Sequence, residues 1–348
     1  MSKGDIAGKV RAITNRQVPG ERARDVRLLR SLVERSERII RSKYRSLSGE
    51  ARTVAYRIAT VSSDLHRDDL TANTESAERG YKTYTIKTKR LVSKLRRDFL
   101  EDLQQAIHEG AEIVCFNELS FPCGMEARSS VERRRFERHI RQLVDAHGIL
   151  LIAGSFHDPE TDHNLCPIFA PKKSEMHAKL TSAERLGEEV RTPPGRTMRH
   201  YRTKFGRASV LVCLDVFEPT LFLRLLRESN SFSAGNIELV FVPSFSPQNT
   251  QLLCDACEDL SYVTGAVVVF VNCADPRHAL FVHGRVMPNE STQPDGYQRR
   301  VVSQRIVLHT VRVDTQRTRR NLLRDSYSPI LRFMMGDEAP IFVEVPLE

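Results

Sequence analysis

No stretch of the 348-residue chain approaches the roughly 18–20 consecutive apolar residues that a membrane-spanning helix needs, so no membrane role is expected. The basic N-terminus lacks an apolar h-region and is not expected to be a secretory signal. There is no G-x-x-x-x-G-K-[ST] and no G-x-G-x-x-G, which argues against nucleotide hydrolysis and a dinucleotide cofactor. No internal repeat and no low-complexity segment is visible. The seven cysteines are odd in number and follow no disulfide-framework spacing, as expected of free thiols in a reducing cytoplasm. Cys254 and Cys257 form a lone C-x-x-C, half a zinc site or a redox pair by spacing, yet no second pair or paired His follows, and both fall one turn apart on an expected helix. His177, His278 and His283 are scattered and receive no ligand role. No metal and no cofactor is expected.

The chain holds a hydrophobic fraction of 40%, ordinary for a globular protein, and enough residues for one large core with an appendage. Its formal charge of +9 is unevenly spread. Residues 1–100 carry 24 Lys or Arg against 12 Asp or Glu, and the remainder carry 29 against 32. A basic N-terminal region can bind nucleic acid or an acidic protein partner, but a solvated helix face is the favoured reading. Residues 1–50 read as a basic extension containing an amphipathic helix, with Val26, Leu29, Val33, Ile40, Tyr44 and Leu47 near helical spacing.

From residue 51 the pattern becomes that of an α/β domain. Residues 51–62 read as the first strand. The polar stretch 64–88 reads as an insertion, a lid or assembly loop. A helix begins near residue 89 and ends at Gly110. Residues 111–122, AEIVCFNELSFP, form an apolar strand delivering Glu118 at its end. An amphipathic helix (SSVERRRFERHIRQLVDAHG) and the buried strand ILLIAGSF follow, and the short strand CPIFA leads to Lys179 in KKSEMHAKLTSAERLGEE. The run Ala208 to Leu214 is a buried strand ending at Cys213-Leu214-Asp215, after which Pro219 turns the chain into a helix. Backbone N–H groups following a strand end lack ladder partners and can face an oxyanion. Taken alone, Cys213 reads more readily as a buried inert thiol than as a nucleophile. ELVFVPSF and GAVVVFVNCA are two further buried strands with a helix between them. Residues 300–315 form a closing hairpin, and an irregular C-terminal tail follows to residue 348.

Three of these segments, in order, resemble the nitrilase (carbon–nitrogen hydrolase) superfamily. The motifs are Phe116-Asn117-Glu118-Leu119, His177-Ala178-Lys179 with Gly187-Glu188, and Cys213-Leu214-Asp215. The resemblance spans residues 50–325 in round terms. It implies a four-layer αββα sandwich of two mixed sheets with outer helices, here preceded by an N-terminal helical extension. It implies a Glu-Lys-Cys catalytic set of Glu118, Lys179 and Cys213, with the backbone N–H of Leu214 on the oxyanion side. Glu188 resembles the family's second glutamate but falls one residue beyond the usual spacing from the lysine, so Glu184 competes for the role. The family's Gly-x-Ser turn is absent near residues 274–288, and Asn117 stands where Pro is usual.

The implied chemistry is cofactor-free hydrolysis of a non-peptide C–N bond, an amide or carbamoyl group ahead of a nitrile, through a thioester on Cys213. Family members form dimers through helix faces, and larger spirals, so a homodimer or higher oligomer is expected. A second reading keeps the fold and changes the role. A nitrilase-like module would then regulate or dock, its basic arm contacting nucleic acid or a protein partner, as in a bacterial defence system.

Overall fold

Two apolar β-rich halves build the chain, each starting from parallel strands that are buried on both faces. The computed structural model describes residues 52–123, 130–182, 190–218, 237–246, 250–273, 277–282, 285–288, 297–315 and 341–347, with Leu221 and Leu225. The basic extension of residues 1–50, with its expected helix, lies outside the described residues.

The first half runs β1 (Arg52–Val61), β2 (Leu70–Ala72), α1 (Thr74–Glu78), β3 (Tyr84–Ile86), α2 (Lys89–His108) and β4 (Ile113–Phe116). It continues through α3 (Val131–His147), β5 (Leu150–Ile152), β6 (Phe156–His157), β7 (Asn164–Ala170) and β8 (Lys173–Ala178). The second half contains β9 (Thr197–Thr203), β10 (Gly206–Val210), β11 (Ile237–Ser244), α4 (Thr250–Thr264), β12 (Val267–Asn272) and β13 (Arg277–Val282). The last strands are β14 (Arg285–Val286), β15 (Tyr297–Val301), β16 (Ile306–Thr315) and β17 (Ile341–Pro346).

The helices start and stop where their sequences provide caps. Thr88 accepts the Leu91 N–H at the head of α2, and Ser130 accepts that of Arg133 at the head of α3. Gly148 takes the left-handed conformation that ends α3. Each helix buries one stripe: Val92, Leu95, Phe99, Leu103 and Ala106 on α2, and Phe136, Ile140 and Val144 on α3.

One sheet has the order β15-β16-β1-β4-β5-β7-β6, with β8 also on β7, and the other has the order β14-β13-β12-β11-β10-β9-β17. Both are mixed: β1, β4 and β5 pair in parallel, as do β10, β11 and β12, and antiparallel strands flank them. The two-residue alternation sorts the side chains. Tyr56 and Ile58 of β1 join a core shared with Val210, Phe241 and Val269, which lie on one face of the second sheet. Ala59 and Val61 turn the other way, onto Phe99, Leu103, Phe136 and Ile140 of the two helices. Each such aliphatic side chain contributes about 1.5–3 kcal/mol on burial. On the far side, Leu253, Cys257 and Leu260 of α4 pack on the second sheet. The layers are therefore helix, sheet, sheet, helix.

Three elements differ from the sequence reading. The expected strand from Ala208 to Leu214 stops early: β10 ends at Val210, and Cys213 and Leu214 lie in a 3₁₀ turn instead. Ile341–Pro346, left in an irregular tail, forms β17 and pairs in parallel with β9. ILLIAGSF is two short strands, broken at Gly154, whose φ is +74°.

Candidate active site

The parallel strands of the two sheets end on the same side of the sandwich, and the side chains of interest stand there. β4 stops at Phe116, and the Asn117 N–H adds a last bond to Val61 O at 3.2 Å. Asn117 Oδ1 accepts the Ser63 N–H (2.7 Å), and Asn117 Nδ2 donates to Glu118 O (2.6 Å). Ser120 Oγ closes the turn onto Asn117 O (2.6 Å). This turn sits on Gly154. A Cβ there would come within 2.2 Å of Asn117 O and 1.9 Å of Ser120 Oγ, so glycine is required on space as well as on φ.

The Glu118 carboxylate is buried, 5% exposed, and receives three donors. Oε1 accepts from Lys179 Nζ at 3.0 Å and from Asn164 Nδ2 at 2.9 Å. Oε2 accepts the Phe245 N–H, just past β11 in the second sheet, at 3.0 Å. Asn272 holds that loop, accepting from Ser246 N and donating to Ser246 O and Thr250 Oγ1. A buried carboxylate with a cation and two neutral donors is compensated charge, held in one position by its partners.

Lys179 follows β8 directly and is itself buried. Its N–H donates to Asn164 O (2.8 Å) and its carbonyl accepts from Gly195 N (2.7 Å). The next two residues then meet the third segment. The Leu180 and Thr181 N–H groups and the Thr181 hydroxyl all donate to the carboxylate of Asp215, at 2.6–3.1 Å.

Asp215 also accepts the Val212 N–H at 3.0 Å, so one buried carboxylate holds both the chain just after Lys179 and the residue before Cys213. Burial pushes the Asp215 carboxyl above its ordinary range, while the charge on Lys179 and the donors pull it down. Cys213 opens a 3₁₀ turn, Cys213–Phe217, beyond β10. Its φ is +52°, a region that β-carbon sterics disfavour and that accumulates at functional positions. Cys213 is 1% exposed, and Leu214, the expected oxyanion-side residue, is wholly buried. Glu118, Lys179 and the Cys213 turn are thus tied together across the two sheets by Phe245 and Asp215. Glu188 and its competitor Glu184 lie outside the described residues.

Solved structures with this architecture include several amidases and related hydrolases. A point mutant of the Nesterenkonia AN1 amidase, from the nitrilase superfamily, matches over 80% of this chain and 96% of its own, at 15% identity and a TM-score of 0.53. A CN-hydrolase superfamily protein from Xanthomonas campestris with an arsenic adduct in its active site matches over 82% and 98%, at 14% and 0.51. The chain has the nitrilase-superfamily fold. A glutamine-dependent NAD+ synthetase from Acinetobacter baumannii contains it as a part, matched over 75% of this chain and 46% of its own, at 12% and 0.51. No protein-family model and no curated protein sequence matches the chain.

Within this fold, residues 64–88 form an organised strap rather than an open loop. Leu65 and Ile86 pack on Val92 and Leu95 of α2. Arg79 grips Asp162 through Nε (2.6 Å) and Nη2 (2.8 Å), and Ser76 donates to the same carboxylate. Lys82 and Arg191 exchange two backbone bonds of 2.9 Å, which fastens the strap to the segment after the Lys179 loop. The Tyr84 N–H donates to His157 Nδ1 at 2.9 Å.

The scattered histidines have other partners or lie outside the described residues. His177 lies in the inter-sheet core with Tyr201 OH 3.2 Å from its Nδ1, and His278 reaches Thr60 Oγ1 at 2.9 Å. His283 lies outside the described residues. Cys254 and Cys257 are buried on α4, and no group of His, Cys, Asp and Glu among the described residues could hold a metal ion. Sequence reasoning missed Asn164, Phe245 and the tethering role of Asp215. Asp215 stood inside the quoted motif, but its partners are 34–35 residues away, a pairing no local pattern shows. No helix among the described residues is long and apolar enough to cross a membrane.

Proposed function

We propose that the protein hydrolyses a non-peptide C–N bond, an amide or carbamoyl group in preference to a nitrile, through a thioester on Cys213. The observation that supports this reading is the tether just described: one buried Asp215 joins the strained Cys213 turn to the chain carrying Lys179, whose ammonium meets Glu118.

The chemistry follows from what each group can do. Glu118 takes the thiol proton as Cys213 Sγ bonds to the carbonyl carbon. The oxygen gains negative charge and is stabilised by Lys179 and by the Leu214 N–H. Collapse breaks the C–N bond, and the proton on Glu118 passes to the departing nitrogen. Water then attacks the thioester, Glu118 accepts its proton, and the carboxylic acid leaves as the thiol re-forms. Glu188, or Glu184, would orient the lysine and the substrate. A carboxylate already receiving three hydrogen bonds stays in place through both proton transfers, which is the positional advantage of this arrangement.

The test is ammonia release from a panel of small amides, carbamoyl compounds and nitriles. Turnover of an amide or carbamoyl compound by the wild type, lost in Cys213→Ala, is the expected result. Turnover that survives Cys213→Ala overturns the assignment.

A further inference from the structure

His157 takes no part in the scheme above, yet its placement brings it to the same carboxylate. It pairs with Asn164 across the β6–β7 ladder, and Asn164 Nδ2 binds Glu118 Oε1 at 2.9 Å. Directly opposed residues project on the same face with Cβ atoms about 4.5–5.5 Å apart. The imidazole therefore stands beside Glu118, on the side where the strap comes over the rim.

The strap also decides which ring nitrogen carries the proton. Tyr84 N lies 2.9 Å from His157 Nδ1, and Tyr84 O lies farther, at 3.2 Å. An amide N–H can only donate, so Nδ1 accepts and the proton resides on Nε2. Nε2 has no hydrogen-bond partner among the described residues. Burial lowers the His157 pKa to about 4, with Glu118 pulling it up and Lys179 pulling it down. The ring is thus within electrostatic reach of both groups and stays neutral at ordinary pH.

We propose that His157 is a substrate-selecting residue whose Nε2–H donates a hydrogen bond to an acceptor oxygen next to the reacting amide, in a tautomer set by Tyr84 of the strap. This rests on the Cys213 reading and names the substrate class within it. Glu118, Lys179 and Cys213 are each at most 5% exposed, so the amide is small. It carries an ether, hydroxyl or carbonyl oxygen one or two bonds from the amide carbonyl. An amide lacking that oxygen would leave the Nε2–H desolvated and unpaired.

Methoxyacetamide and butanamide differ by one oxygen in place of a methylene and form the test pair. The ratio of their kcat/KM values is measured for the wild type, for His157→Phe, which has no donor, and for His157→Gln, whose amide NH2 is one. Comparing ratios between enzymes cancels the intrinsic reactivity of the two amides. The expected result is a ratio about tenfold lower in His157→Phe and partly restored in His157→Gln. A ratio within twofold of the wild type in His157→Phe overturns the proposal and leaves the Cys213 reading intact. A wild type that turns over neither amide and acquires no acyl group overturns both. Long-range 1H–15N spectra give an answer independent of turnover. The His157 signals, assigned by their absence in His157→Phe, should show the proton on Nε2 throughout about pH 5–8; a proton on Nδ1 overturns the proposal.

Discussion

Mild acid should unfold this protein, and the cause lies in five histidines sealed inside it. His177, His200 and His309 have pKa values lowered to about 3, and His157 and His278 to about 4, with burial the leading cause in each case. His309 is shared between Thr60 and Tyr297, and His278 meets the same Thr60 hydroxyl. In the unfolded chain each histidine returns to about 6.5. Above that pH both states are neutral and the groups make no difference. Between 6.5 and the folded values the unfolded state binds protons that the folded state refuses, so stability falls as pH falls. At pH 5 each group costs about 2 kcal/mol, and the five together about 10 kcal/mol. Two buried carboxyls run the opposite way. Burial raises Asp215, and it raises Asp102 to about 6, where the proton taken up in the folded state offsets about 1 kcal/mol at pH 5. The remainder is comparable with the entire stability of a typical domain, about 5–15 kcal/mol. Urea unfolding followed by far-UV circular dichroism suits a chain without tryptophan. The midpoint should collapse between pH 7 and pH 5. In His177→Leu the loss over that interval should be smaller by about 2 kcal/mol, whatever the variant's stability at pH 7. A midpoint that holds from pH 7 to pH 5, or a pH dependence unchanged in His177→Leu, would refute the reasoning.

Other perturbations address the site itself. Asp215→Asn puts an NH2 where Val212, Leu180 and Thr181 present donors; a loss of about 2–5 kcal/mol in chemical unfolding and at least tenfold slower acylation of Cys213 by mass spectrometry are expected. Lys179→Met leaves Glu118 as a buried carboxylate without its cation and should cost about 3–5 kcal/mol, part of which Glu118→Gln recovers in the double variant; full additivity would contradict the pairing. Glu118→Gln alone should lower ammonia release by about 10²–10⁴-fold, the range of general base catalysis, with little change in KM. Gly154→Ala forces a Cβ against Asn117 O at a positive φ and should cost about 2–5 kcal/mol, read from the urea midpoint.

The sandwich was legible because both its sheets are built on parallel strands, whose near-continuous apolar runs, such as VVVFVN and ELVFVP, stand out against polar helices. Glu118, Lys179 and Cys213 were legible as an ordered set at strand ends, and the structure pairs the first two directly. Three things were not. β17 is a six-residue strand far from its partner β9 in sequence, and its register depends on an edge that only the folded sheet offers. The strap has few large aliphatics and reads as a loop, yet Leu65 and Ile86 anchor it from its two ends while Ser76, Arg79 and Tyr84 make polar contacts with residues some 73–86 positions away. The ring of donors around Glu118 and Asp215 is assembled from four separate segments, and nothing in Asn164 or Phe245 alone marks them as parts of it.

The central claim is that Cys213 is the nucleophile of a C–N hydrolase. Intact-protein mass after incubation with the amide, carbamoyl and nitrile panel, for the wild type and Cys213→Ala, tests it most directly. The account predicts an acyl increment on the wild type alone, mapped to Cys213 among the seven cysteines and followed by release of ammonia. No increment, no ammonia and a Cys213 inert to iodoacetamide in the folded protein would contradict it.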